Sequence, residues 1–171
     1  MNFYALVTWL PTLYQDRGYS VVGSGLLISA ATIVQVPGAL AFSFLAARRP
    51  QQTGLIAFAT ATTAAGLLGV LLAPTTDPVV WMLLIGIGQG ASFPIALTLL
   101  VVRTADSRDT SRLSAIAQTG GYAIAALGTL VVGAVHDVAG SWGPAVVVLL
   151  ALLVPQLAAG FVAGRDAVIR R

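Results

Sequence analysis

Read for hydropathy alone, the chain is a series of long apolar runs parted by short polar breaks. Five runs, at about 23–46, 54–73, 79–102, 113–135 and 143–163, predict membrane-crossing helices, because the roughly 30 Å hydrocarbon layer takes about 20 residues to span. The breaks between them read "RRPQQ", "PTTDP", "RTADSRDTSR" and "HDVAGSW". A sixth run, "MNFYALVTWLPTLY" over 1–14, is only about half a span and leads into "QDRGYS", a turn carrying Asp16 and Gly18. Backbone groups in lipid must be bonded within the segment, so this run is expected to be a first helix truncated upstream by about ten residues or more. The pattern predicts an all-α membrane protein, a six-helix transmembrane bundle whose first helix is partial.

Composition fits that solvent. Hydrophobic residues make up 57% of the 171 and charged residues only 9%, against the roughly 25% that keeps a soluble domain wet. All the charge is nine Arg and six Asp, and the arginines are scattered between apolar runs, so the net +3 predicts no nucleic-acid partner. There is no cysteine, which excludes disulfides and thiolate metal sites. No basic stretch or small-residue cleavage pattern follows Met1, so no cleaved signal is expected. Arginine placement predicts sidedness. Arg48 and Arg49 follow the second helix, Arg103, Arg108 and Arg112 follow the fourth, and Arg165, Arg170 and Arg171 follow the sixth. Only Arg17 falls on the other face. Positive residues mark the cytoplasmic side, so the first helix is expected to run outward and the C-terminus to lie inside. Trp9, Trp81 and Trp142 sit toward the outer ends, where an interfacial aromatic belt belongs.

Helices in lipid associate where small residues let backbones approach. On the fifth helix Ala117, Gly121, Ala125, Thr129 and Gly133 recur at every fourth position, and the fourth helix repeats the device at Gly86 and Gly90, extended by Pro94. Pro94 removes a backbone hydrogen bond and is expected to bend its helix. The same stretch, "GIGQGA", satisfies the spacing of a dinucleotide-binding turn, with Asp106 about twenty residues on. That motif must join a strand to a helix. Here it is embedded in continuous apolar sequence, so the match is accidental and no cofactor is expected.

No Asp, Glu, Lys, Arg or His falls in the middle of any complete span, so the chain supplies no intramembrane charge of the kind that relays protons. The polar groups present are neutral: Asn2, Tyr4 and Thr8 on the first helix, Gln35 on the second, Gln89 and Ser92 on the fourth, Gln118 and Tyr122 on the fifth, and Gln156 on the sixth. Gln118 and Tyr122 are four apart and share a helix face. Such groups must find partners in lipid. Singly, each serves as interhelical glue. As a group, Asn2, Tyr4, Gln35, Gln89, Gln118 and Tyr122 are the candidates for the wall of a polar cavity. His136 and Asp137 read as a solvated helix end. No nucleophile–base pair, metal cluster or carboxylate dyad is present, so an intramembrane enzyme lacks reactive groups.

The loop "LAARRPQQTG", the glycine-rich "GIGQGASFPIALTL" and "GTLVVGAVHDVAGSW" resemble the C-terminal half of a major facilitator superfamily transporter. More narrowly, "NFYALVTWLPTLYQDRGYS", "QVPGAL" and "RLSAIAQTGGY" resemble the cyanate-permease-like branch, which includes nitroimidazole transporters. The resemblance covers essentially the whole chain. It implies half of a major-facilitator fold, with residues 1–14 as the seventh helix and the five complete spans as the eighth to twelfth. It also implies alternating-access transport of a small solute across a bacterial inner membrane. The partner would be a six-helix N-terminal half, as upstream sequence or a separate chain, or a second copy. By the same resemblance Asn2, Tyr4, Gln35, Gln89, Gln118 and Tyr122 come within reach of substrate. Arg48 and Arg49 match the basic part of the family's inner-loop gating motif, but "RRPQQTG" lacks its acidic residue and fuller glycine pattern. Beside transport stand an assembly subunit that docks other membrane proteins and an inactive truncated fragment.

Overall fold

Among the described residues six helices follow one another: α1 (Asn2–Asp16), α2 (Val21–Arg48), α3 (Thr53–Leu72), α4 (Pro78–Val102), α5 (Ser107–Ala139) and α6 (Trp142–Ala163). The computed structural model describes residues 2–49, 51–102 and 107–164, and no strand occurs among them. Five of the helices, all but α1, are long and apolar enough to cross a membrane.

Local chemistry sets the ends. Gly18 turns the chain after α1 at φ +89°, in the left-handed region that glycine enters without steric cost. Ser20 then caps α2, its hydroxyl accepting from the Gly23 N–H at 3.0 Å, which satisfies one of the orphan donors of the first turn. Pro78 opens α4, where a missing N–H costs nothing. Gly140, at φ +63°, stops α5, and its N–H donates to the His136 carbonyl at 2.8 Å.

The fifth helix is longer than the apolar run that predicts it. It takes in residues 107–112 and 136–139, so Arg108 and Arg112 stand on helix rather than loop. Polarity ended the apolar run, but a helix that has left the hydrocarbon can carry polar side chains without breaking.

Contacts close the helices into a ring in the order α1, α2, α4, α3, α6, α5, and α2 against α4 is the most extensive pair. The larger core cluster joins α1, α3, α4 and α6 through residues such as Leu10, Leu13, Leu67, Met82 and Leu149. A smaller one, with Ala46, Ile56, Ala91 and Ile95, lies toward the opposite end. Large apolar side chains also cover the outside; Ile33, Leu40 and Val162 are each 71% exposed. A water-facing surface does not carry so much apolar area, and lipid is the solvent that accepts it.

Candidate functional site

The glycines of α4 face two neighbours at once. A Cβ on Gly86 would strike the Ala31 carbonyl oxygen and come within 2.5 Å of Val34 Cγ1. One turn on, a Cβ on Gly90 would stand 2.8 Å from the Gln35 Cα and carbonyl oxygen. Both glycines therefore seat α2. Gly88, between them, points to α3, where an added Cβ would lie 2.5 Å from the Ala59 carbonyl oxygen. Alternating glycines thus wedge α4 between α2 and α3 at backbone contact. Pro94 sits in continuous helix four residues beyond Gly90.

The fifth helix divides in two. Ala125 is 3% exposed, Thr129 is half-buried, and Gly133 packs on the Trp9 ring, where a Cβ would come within 2.5 Å of Cζ2. Ala117 and Gly121 continue the stripe but are exposed, and a Cβ on Gly120 or Gly121 would meet nothing within 4 Å. The packing expected at Gly121 therefore has no partner among the described residues, while Gly133 meets Trp9 of α1 and Ala125 is buried.

The six candidate cavity residues do not gather in one place. Asn2 is 3% exposed and turns into the bundle, its amide N–H donating to the Leu149 carbonyl of α6 at 3.5 Å while its Oδ1 has no partner. Tyr4 of α1 and Tyr122 of α5 come together on the surface, ring centroids 6.1 Å apart and planes at 72°. Phe3 backs Tyr4 edge-on at 5.3 Å. The rings are 46% and 51% exposed, and Gln118, one turn along α5, is exposed as well. Gln35 and Gln89 are half-buried on α2 and α4, beside the glycine seam. The shared face of Gln118 and Tyr122 and the need of the Asn2 amide for a partner inside the bundle were legible in sequence; that the partner is the Leu149 carbonyl depends on where α6 lies and was not.

A pocket of about 140 Å³ lies elsewhere, between α3, α4 and α6, lined by Ile56, Thr60, Ser92, Ile95, Gln156 and Gly160 among others. The Thr60 hydroxyl already donates to the Ile56 carbonyl and the Ser92 hydroxyl to the Gly88 carbonyl. The pocket therefore offers little but apolar wall and the Gln156 amide. The described residues bring together no three side chains able to hold a metal ion.

Two clamps that sequence patterns do not signal tie the bundle ends. At one end Gln52, only 1% exposed, donates its amide to the Ala46 carbonyl at 3.2 Å and the Arg49 carbonyl at 2.6 Å. Its backbone N–H reaches the Gly164 carbonyl at 3.3 Å, so the end of α2, the start of α3 and the end of α6 share one pole of the bundle. Arg48 lies there with its guanidinium 3.7 Å from the Phe44 ring centre, and Arg49 is exposed beside it. Arg103, Arg165, Arg170, Arg171 and Asp106 lie outside the described residues.

At the opposite pole the Trp142 indole donates to Asp16 at 2.8 Å and stacks on His136 at 3.8 Å. Trp9 joins them, its indole donating to the Thr129 carbonyl at 2.9 Å. His136 is thus a packed ring rather than a solvated end, and its Nδ1 is buried without a partner. Arg17 caps the last turn of α3 through the Val70 carbonyl at 3.2 Å. Burial lowers the pKa of its guanidinium, and Tyr14 nearby partly opposes that.

The sequence matches the Major Facilitator Superfamily over residues 1–129. It is 35% identical over 165 residues to the uncharacterized transporter YycB of Bacillus subtilis, covering 96% of this chain and 41% of that protein. It is 30% identical over 168 residues to the 2-nitroimidazole transporter of Escherichia coli, covering 98% of this chain and 42% of that one. To the cyanate transport protein CynX of the same organism it is 29% identical over 141 residues, covering 82% and 36%. The chain therefore spans about two fifths of the length of these relatives. No solved structure matches it.

Proposed function

The chain belongs to the Major Facilitator Superfamily, and from that premise we propose that it is the C-terminal half of a secondary-active carrier. Its solute is small: cyanate, a related anion or a compact drug-like molecule of the nitroimidazole kind. The observation that carries this reading is the uncharged, exposed wall that α1 and α5 build from Tyr4, Gln118 and Tyr122. A carrier needs such a face where two half-bundles meet. Its neutral polar groups can be shed from water and then re-exposed without the cost of burying a charge.

The bundle rocks as a unit against a partner half, and the glycine seams of α4 keep it rigid while it does so. That partner is a six-helix N-terminal half, in the same polypeptide or a separate one, or a second copy of this chain. The arginine-bearing pole faces the cytoplasm and the protein works in a bacterial inner membrane, with no chemistry performed on the solute. Gln35 and Gln89 extend the solute-facing wall onto α2 and α4, and Asn2 supports it from behind through α6.

A second reading is favoured by one observation, the small-residue face at Gly120 and Gly121 that none of the described residues fills. Such a face suits a subunit that docks another membrane protein. Solute uptake separates the two. Vesicles carrying the polypeptide at its native length are expected to accumulate labelled cyanate or 2-nitroimidazole above empty vesicles. Accumulation equal to the control for both solutes, with the protein correctly inserted, would favour the docking subunit over a carrier of these two solutes.

A further inference from the structure

We propose that Tyr4 and Tyr122 form an aromatic corner that selects flat aromatic solutes over linear ones. The inference rests on the carrier reading above and names the solute class which that wall takes. Two rings with centroids 6.1 Å apart and planes at 72° make an L-shaped notch, with the face of one set against the edge of the other. Phe3 holds Tyr4 edge-on from behind at 5.3 Å, which fixes one arm of the notch. About half of each tyrosine is open, 46% of Tyr4 and 51% of Tyr122. Nearer the outer end the same two helices meet through the Trp9 ring on Gly133.

A planar ring lying in the notch gains an offset stack on one tyrosine and an edge contact on the other, the two arrangements that ring quadrupoles favour. Gln118, one turn from Tyr122 on the same side of α5, adds an amide that can donate to or accept from a polar substituent. The middles of the spans hold no Asp, Glu, Lys, Arg or His. This half of the carrier therefore reads the ring and not the charge of its solute. A linear triatomic anion has no face to stack and gains nothing from the corner.

The test uses the native-length carrier in inverted and right-side-out membrane vesicles, with radiolabelled benzoate as the flat probe and thiocyanate as the linear one. Wild-type carrier is expected to move benzoate. Tyr122→Leu is expected to lower benzoate uptake about tenfold, the scale of one lost aromatic contact, and to lower thiocyanate uptake, where it occurs, by a clearly smaller factor. Tyr122→Phe keeps the ring and is expected to stay within about threefold of wild type. Since Tyr122 is half open, both variants should insert normally. A wild type that moves thiocyanate but not benzoate overturns the corner and spares the carrier reading. So does a Tyr122→Leu variant that loses both probes equally or neither. Movement of neither probe by wild type, together with failure to take up cyanate or 2-nitroimidazole, overturns both.

Discussion

Gly86, Gly88 and Gly90 cannot all serve one neighbour, since alternate positions on a helix point about 200° apart. The structure gives the outer two to α2 and the middle one to α3, where any side chain would have to displace backbone. Gly120 and Gly121 are the opposite case, with open space where each Cβ would go. The contrast fixes two outcomes. Gly88→Val should destabilise the bundle by about 3 kcal/mol or more, because overpacking against the Ala59 carbonyl cannot be relieved by a flexible side chain. Gly121→Ala should be neutral or stabilising by up to about 1 kcal/mol, the helix-propensity gain. Thermal unfolding in detergent, followed by helical circular dichroism, checks both; a Gly121→Ala variant as unstable as Gly88→Val would mean that α5 packs against something the described residues lack. Sequence spacing alone grouped Gly86, Gly90, Gly121 and Gly133 as equivalent packing positions. It could not separate them, because a small residue looks the same whether or not a neighbour arrives.

Between elements, the aromatic pole does for α1, α5 and α6 what the glycine seam does for α2, α3 and α4. Half of this was legible. The gathering of Trp9 and Trp142 at one pole follows from their preference for an interface, whereas the stack of His136 on Trp142 and the Asp16 acceptor require three chain segments to converge. No local pattern records that. The clamp by Gln52 was invisible for the same reason, since a glutamine in "RRPQQTG" reads as a solvated loop residue until α6 is placed beside it. Trp142 is 7% exposed and holds Asp16, His136 and Trp9 together. Trp142→Leu is therefore expected to cost about 3 kcal/mol, close to a large-to-small core substitution. Asp16→Ala removes only the acceptor at a solvent-accessible site and should cost about 1 kcal/mol. If the two variants unfold at the same temperature, the indole's hydrogen bond rather than its packing holds the pole.

Over the whole molecule, the helix count and the alternating direction of the spans were legible because lipid enforces length and apolarity on every crossing segment. The extension of α5 beyond its apolar run was not, because helix outside the hydrocarbon obeys no such rule. The direction in which the bundle sits in the membrane is a separate question. It rests on arginine bias, and the chain offers a clean way to settle it, since it contains no cysteine. Gln51 lies beside Gln52 at the arginine-bearing pole, and Thr76 lies in the turn between α3 and α4 at the other; both are exposed. Gln51→Cys is expected to react with a membrane-impermeant maleimide only in inverted vesicles, and Thr76→Cys only in right-side-out vesicles or intact cells. The two substitutions fall outside the packed helices, so neither disturbs the structure it reports. Labelling with the sides exchanged would put Arg48 and Arg49 outside against the charge rule. The wall of Tyr4 and Tyr122 would then face the same partner half, but α1 would run inward, and each step of solute movement proposed for this carrier would have its direction reversed.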